Sequence, residues 1–162
     1  AMCTAFNDRF GLSVIGLRYM NVYGPNQDQT AAYTGVVPVM LNKIEANEAP
    51  LINGDGSQAY DFIYVEDVVK AIYKSVLTAN KRILCEQINV LTGQSISIDQ
   101  VANMLMAAID VQVEKIYKDL PVGDPKRSSG TTEKMQRLLG TDLNNMISIE
   151  AGLLLTVNFL KI

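Results

Sequence analysis

The sequence predicts a mixed α/β fold in which strands and helices alternate along the chain. Three features carry that expectation. Residues 12–20, LSVIGLRYM, are a continuous apolar run of the kind found in a strand buried on both faces of a parallel sheet. Residues 36–46 place Val36, Val39, Met40 and Ile44 at helical spacing. Ser97 stands three residues before Gln100, ahead of an apolar periodic stretch, a capping-box pattern that opens a helix.

The other elements follow in chain order. Met2, Phe6 and Phe10 recur at a spacing of four, one face of a helix, and Gly11 is placed to end it. No capping residue precedes this helix, so it reads as one cut in the middle. Asn21 to Pro25 stops the run 12–20, because Gly24-Pro25 is a strong turn signal. Residues 26–34 are polar and are expected to form a loop. Pro38 is tolerated in the first turn of helix 36–46. Residues 51–53 form a short strand, 54–56 a Gly-Asp-Gly turn and 61–65 the next extended piece. Glu66 and Asp67 open a helix over 68–77, where acids suit the N-terminal dipole. A strand is expected over 87–91, and the helix capped by Ser97 runs to about Ile109. Residues 111–117 alternate apolar and polar, as a strand does, and 121–130 form a loop. Two helices, 132–139 and 148–160, end the chain, the first closed by Gly140.

Composition narrows the chemistry. At 162 residues a single folded unit is the natural expectation, and 48% hydrophobic with 19% charged residues suits a globular protein. A net charge of −3 argues against a nucleic-acid backbone as partner, but not against one small phosphate ester. The absence of histidine removes Ser-His-Asp and Cys-His catalysis and most zinc sites. The two cysteines, Cys3 and Cys85, follow no metal spacing and read as reduced, buried thiols. No apolar run approaches the ~18–20 residues that span a bilayer. No signal-peptide pattern is present, so a cytoplasmic protein without a membrane partner is expected.

Reactive constellations are scarce. The sequence contains no GxxGxxG, GxGxxG or P-loop, and none of its seven tyrosines has a lysine four residues on. Asp55 with Asp61, and Glu66 with Asp67, are the available acid pairs. A turn for Asp55 and a helix start for Glu66 and Asp67 are the simpler readings. No catalytic residue and no metal ligand is expected.

A set of longer motifs is more specific. Leu17 to Pro25 reads LRYMNVYGP, and Gly54 to Val68 reads GDGSQAYDFIYVEDV. Asn89 to Gly93 reads NVLTG, Gly123-Asp124 follows, then Glu133 to Gly140, EKMQRLLG, and Gly152 to Val157, GLLLTV. In order and spacing these blocks resemble the extended short-chain dehydrogenases/reductases that act on nucleotide sugars, the NAD-dependent epimerases and dehydratases. The resemblance covers the whole chain. It implies the C-terminal part of a Rossmann-type fold plus a small α/β substrate-binding subdomain. Residues 1–35 would end the Rossmann-type sheet region. Residues 36–162 would be mostly substrate-binding subdomain, with a sheet strand returning near 87–91.

The resemblance also assigns roles. Ala1 to Gly11 looks like the end of the helix that carries the family's Tyr-x-x-x-Lys, which would precede Ala1 together with the glycine-rich dinucleotide loop. Tyr19, Met20 and Asn21 would lie beside the nicotinamide of NAD, and Asn21 would also meet the sugar diphosphate; alternatively Asn21 only stabilises the following turn. The backbone at Gly35 and Val36 would approach the substrate phosphates with free helix N–H groups. Leu51 and Asn53 would hold the base, uracil in most members; Asn53 can equally end its strand.

Two departures matter. Tyr60 stands where the family often has a diphosphate-gripping arginine, and Pro121 stands where a second arginine is usual. Lys126 or Arg127 can supply the missing cation, or both are solvated loop charges. Gly130-Thr131 replaces the usual Ala-Asp, and Leu91 a glycine. The implied parent is an NAD-dependent UDP-hexose 4-epimerase, with a 4,6-dehydratase or decarboxylase of the same scaffold as the alternative. A non-catalytic binding or assembly module is the rival of a different class. This chain alone is expected to be inactive, to bind a UDP-sugar, and to bind NAD weakly or not at all. Uncovered apolar surface and a strand over 13–17 that lacks a neighbour imply a homo-oligomer.

Overall fold

The computed structural model describes residues 2–28, 34–81 and 85–160. Mixed α/β structure is what it shows. Helix α1 (Met2–Phe10) leads into β1 (Val14–Tyr19) and β2 (Asn21–Tyr23). Then come α2 (Val36–Glu45), β3 (Leu51–Asn53), β4 (Ala59–Tyr64) and α3 (Val65–Lys81). The chain continues through β5 (Cys85–Val90), β6 (Ser95–Ser97), α4 (Ile98–Ile109), β7 (Ile116–Lys118) and β8 (Arg127–Ser128). It closes with α5 (Glu133–Leu139), a 3₁₀ turn at Leu143–Asn145 and α6 (Ile149–Leu160).

Three sheets organise these strands. β1 and β5 pair in parallel, with Leu17 opposite Ile88. β4 pairs in parallel with β2 and β8 and antiparallel with β6. β3 and β7 pair in parallel. Strand β4 divides the core. Because successive side chains of a strand point to opposite faces, Phe62 and Tyr64 enter a cluster with Met40, Leu41, Leu105 and Leu153. Ile63 enters a second cluster with Val68, Ile88, Val90 and Met135.

Several expectations hold in detail. The capping box is present: Ser97 Oγ accepts from the Gln100 N–H at 3.1 Å, and Gln100 Oε1 accepts from the Ser97 N–H at 3.0 Å. Gly140 ends α5 with φ 60°, the left-handed cap that glycine adopts without strain.

Other expectations are corrected. The run 12–20 is not buried on both faces. Among the described residues β1 has one strand neighbour, β5, and its residues are half-buried or exposed. The segment 21–25 does not simply stop the strand, since Asn21–Tyr23 pairs with β4. Residues 111–115 form no strand. Val111 and Val113 alternate because they pack on the first core cluster, and only Ile116–Lys118 finds a partner strand. The loop expected at 121–130 contains β8, and β6 was not foreseen. Helix α3 runs beyond its expected limits at both ends. The loop expected at 26–34 lies partly outside the described residues.

Both cysteines are exposed, not buried. Cys3 lies on α1, none of whose residues is buried, and Cys85 opens β5 with its Sγ 3.9 Å from Thr4 Oγ1. The apolar face of α1 is likewise uncovered, with Met2 76% and Phe10 66% exposed. On α3, Val69, Ile72, Tyr73 and Val76 are exposed at helical spacing. None of the described helices is long and apolar enough to cross a membrane.

Candidate functional site

Strands β2, β3 and β4 and the start of α2 enclose a cleft of about 260 Å³. Five residues singled out from sequence meet there: Asn21, Val36, Leu51, Asn53 and Tyr60. They arrive from four elements. Asn21 opens β2 where it leaves the level of β1, Val36 is the first residue of α2, and Leu51 and Asn53 bound β3. Tyr60 comes from β4, whose pairing with β6 and β8 fixes its height in the wall. Met40, Phe62, Ile98 and Leu120 supply the apolar lining.

The polar groups have defined partners. Asn21 Nδ2 donates to the Asp61 main-chain oxygen at 3.1 Å, which leaves its side-chain oxygen toward other partners. The Tyr60 hydroxyl donates to the Pro125 carbonyl at 2.7 Å. It can therefore only accept from a ligand, and partial burial and nearby Asp124 hold its pKa above the usual phenol value. Among the described residues, Asp124 is the one carboxylate in the lining, and no lysine or arginine lines this cleft. Gly35 caps α2 with extended backbone and no side-chain cap, so the first N–H groups of α2 receive no side-chain acceptor from it.

A second, wider cleft of about 650 Å³ adjoins the first through Gln58 and Leu120. Lys126 lines it together with Lys118, Asp55, Ser57, Tyr117 and Asp119. Arg127 lines neither cleft; it lies exposed in β8, opposite Ala59. The structure thus separates Lys126 and Arg127 from the five residues that meet. Tyr19 and Met20 stand outside both clefts at the carboxyl end of β1. The Met20 N–H donates to the Val90 oxygen at 3.1 Å, Ser128 Oγ lies 3.6 Å from Met20 Sδ, and Tyr19 is 46% exposed.

The candidate acids have structural occupations. Asp61 is fully buried, and its carboxylate accepts from the Thr92 N–H at 2.8 Å, the Thr92 hydroxyl at 2.9 Å and the Gly93 N–H at 2.7 Å. Burial nevertheless pushes its pKa above the ordinary carboxylate value. Asp67 accepts from Lys70 and from the Ile147 N–H, both at 2.8 Å. Asp55 closes a turn on the Ser57 hydroxyl and N–H, which hold its pKa low. Among the described residues no cluster of potential ligands could hold a metal ion.

Sequence reasoning missed the functional potential of Gln58, Leu120 and Asp124. Gln58 lies two residues before Tyr60, on the same face of the chain, and that spacing was the available signal. Leu120 carries no signal of its own.

This geometry can be compared with known proteins. Residues 1–90 match the model of the NAD dependent epimerase/dehydratase family. The chain belongs to that family. A relative within reach is the UDP-glucuronate 4-epimerase of Thermodesulfobacterium geofontis, 32% identical over 158 residues, which cover 96% of this chain and 46% of the relative. A crystal structure of UDP-glucose 4-epimerase with UDP-glucose from Thermotoga maritima superposes with a TM-score of 0.87 at 32% identity. It covers 99% of this chain and 50% of that one. The UDP-glucuronic acid 4-epimerase of Bacillus cereus, in complex with UDP-glucuronic acid and NAD, gives 0.84 at 26% identity, covering 99% and 49%. The chain has the Rossmann-like epimerase fold over half of these reference chains, and it spans about half the length of the relatives it matches.

Proposed function

We propose that this chain is the substrate-side part of an NAD-dependent nucleotide-sugar epimerase of the UDP-hexose 4-epimerase type. The convergence of Asn21, Val36, Leu51, Asn53 and Tyr60 on one cleft carries this reading. A nucleotide fits the lining: apolar surface for a base, the helix start at Val36 (with Gly35 just outside the lining) for phosphate, and Asp124 to accept from sugar hydroxyls.

The cofactor's nicotinamide end fits the carboxyl end of β1. Ligands of open α/β sheets lie beyond the carboxyl ends of the parallel strands, and there Tyr19 offers an exposed ring beside Met20 and Asn21. NAD, when bound, supplies the hydride acceptor. Tyr19 and Met20 would border its nicotinamide, and Asn21 would orient the substrate diphosphate from the adjoining cleft. The glycine-rich loop and the Tyr-x-x-x-Lys pair are not among these 162 residues, so the chain alone binds NAD weakly and gives no turnover. Its partner is a UDP-sugar. A second copy of the chain covers the apolar stripe of α3, whose Val69, Ile72, Tyr73 and Val76 face solvent.

Calorimetric titration of the chain with UDP-glucose tests the reading. Binding that weakens on Asn53→Ala supports it. No heat of binding at millimolar ligand contradicts it, and epimerase turnover by the chain alone contradicts the assignment of catalysis to other residues.

A further inference from the structure

The main chain and the side chain of Asp61 hold two different segments. Its neighbours on β4, Tyr60 and Phe62, line the smaller cleft, and alternation along the strand turns the Asp61 side chain to the other face. There it is fully buried, out of reach of a ligand in that cleft. Its main-chain oxygen accepts from Asn21 Nδ2 at 3.1 Å, which leaves the second hydrogen of that amide and its oxygen for a ligand. Its carboxylate accepts from the Thr92 N–H, the Thr92 hydroxyl and the Gly93 N–H, in the turn that follows β5. The end of β5 in turn holds the chain beside Asn21, because the Met20 N–H donates to the Val90 oxygen at 3.1 Å. A closed ring of contacts results. It runs from the Asp61 carboxylate through the turn and β5 to Met20, Asn21 and back to the Asp61 oxygen. The carboxylate therefore sets the separation between Asn21 and the oxygen that orients it. An asparagine in its place would turn an N–H₂ against one of the converging donors and push β4 away from the turn.

We infer that Asp61 is a positioning residue for ligand binding: by anchoring β4 to the turn after β5 it aims the Asn21 amide at the diphosphate of a nucleotide sugar. The inference rests on the nucleotide-sugar reading of the cleft. Asp61 acts on the ligand only through Asn21, so its effect disappears once Asn21 has no amide to aim.

The test is a double-mutant cycle in UDP-glucose affinity. Calorimetric titration is run on the full chain, Asn21→Ala, Asp61→Asn and the double variant, each with its fold checked by circular dichroism. Leu139→Ala, at a buried position of α5 that lines neither cleft, controls for a loss of stability alone. Each of the two single variants is expected to weaken binding about tenfold, as the loss of one hydrogen bond to a charged group does. The double variant is expected to stay within about twofold of the single ones, because the two residues act as a unit. Leu139→Ala is expected to bind as the unmodified chain does. Unchanged affinity of Asp61→Asn overturns the inference and leaves the nucleotide reading intact. So do losses that multiply to about a hundredfold in the double variant, and so does a Leu139→Ala chain weakened as much as Asp61→Asn. If Asp61→Asn does not fold, Thr92→Val replaces it in the cycle, since it removes the hydroxyl and keeps both main-chain N–H groups. A loss of about threefold is then expected, and unchanged affinity overturns the inference. Failure of the unmodified chain to bind UDP-glucose overturns the nucleotide reading and this inference together.

Discussion

The Asp61 carboxylate receives the main-chain N–H of Gly93 at 2.7 Å, across 32 positions of sequence. With the two bonds from Thr92, it ties the turn after β5 to the middle of β4. β4 carries Tyr60 into the candidate cleft, so this tie sets the position of the site's wall. Asp61→Asn would turn an amide N–H₂ toward one of the donors it now satisfies. A loss of about 2–3 kcal/mol is expected in urea unfolding, from a buried donor left unpaired. A change within about 0.5 kcal/mol would show that the tie is not needed.

Asp61 also predicts a pH dependence. Its pKa is raised in the folded chain, first by burial, against the hydrogen bonds from Thr92 and Gly93 that oppose the shift. The folded state therefore holds this proton more tightly than the unfolded state. Stability falls as pH rises from the ordinary carboxylate value of ~3.9 through the raised one. The difference between wild type and Asp61→Asn should show that fall, and a flat difference across mildly acid pH would contradict it.

Gly152 meets β2 and β4 at close range. A Cβ there would collide with the Tyr23 hydroxyl and lie 3.0 Å from the Tyr64 ring. Gly152→Ala should therefore destabilise by about 1–3 kcal/mol through overpacking, despite alanine's better helix propensity. Tyr23→Phe removes the nearest atom, so the double variant should lose less than the sum of the two single losses. Additive losses in thermal unfolding would place the strain elsewhere.

The position of Tyr60 bears on phosphate binding. Its hydroxyl is already committed to the Pro125 carbonyl, and no cation among the described residues lines the cleft. Tyr60→Arg should tighten UDP binding severalfold and steepen its dependence on salt, because a guanidinium can grip a diphosphate bidentately. Unchanged affinity would place the phosphates away from β4.

Association is open to direct measurement. Light scattering of the chain should report a dimer or larger species, and Val69→Lys with Val76→Lys should shift it toward monomer by charging the exposed stripe of α3. A monomer at high concentration for the unmodified chain would contradict self-association.

Much of this was legible in the residues. The apolar spacing of α2 and α4, the capping box at Ser97 and the closing Gly140 act over a few residues, so sequence displays them directly. The motif blocks brought five residues to one cleft although they are far apart in the chain. What escaped depends on partners distant in sequence. β6 and β8 are three and two residues long, too short for any periodicity, and exist because β4 offers both edges. Val111 and Val113 alternate as strand residues do, yet pack on a core without a strand partner. The thiols of Cys3 and Cys85 lie at the surface because α1 buries none of its residues. Arg127 follows Lys126 directly but does not share its cleft, because it lies exposed in β8 opposite Ala59, a pairing that the sequence does not display.

The most direct test is an amide NMR titration of the chain with UDP-glucose. Saturable shifts concentrated at Asn21, Val36, Leu51, Asn53 and Tyr60 are the predicted result. No saturable shift at millimolar ligand, or shifts gathered away from that cleft, would contradict the assignment of the nucleotide-sugar site.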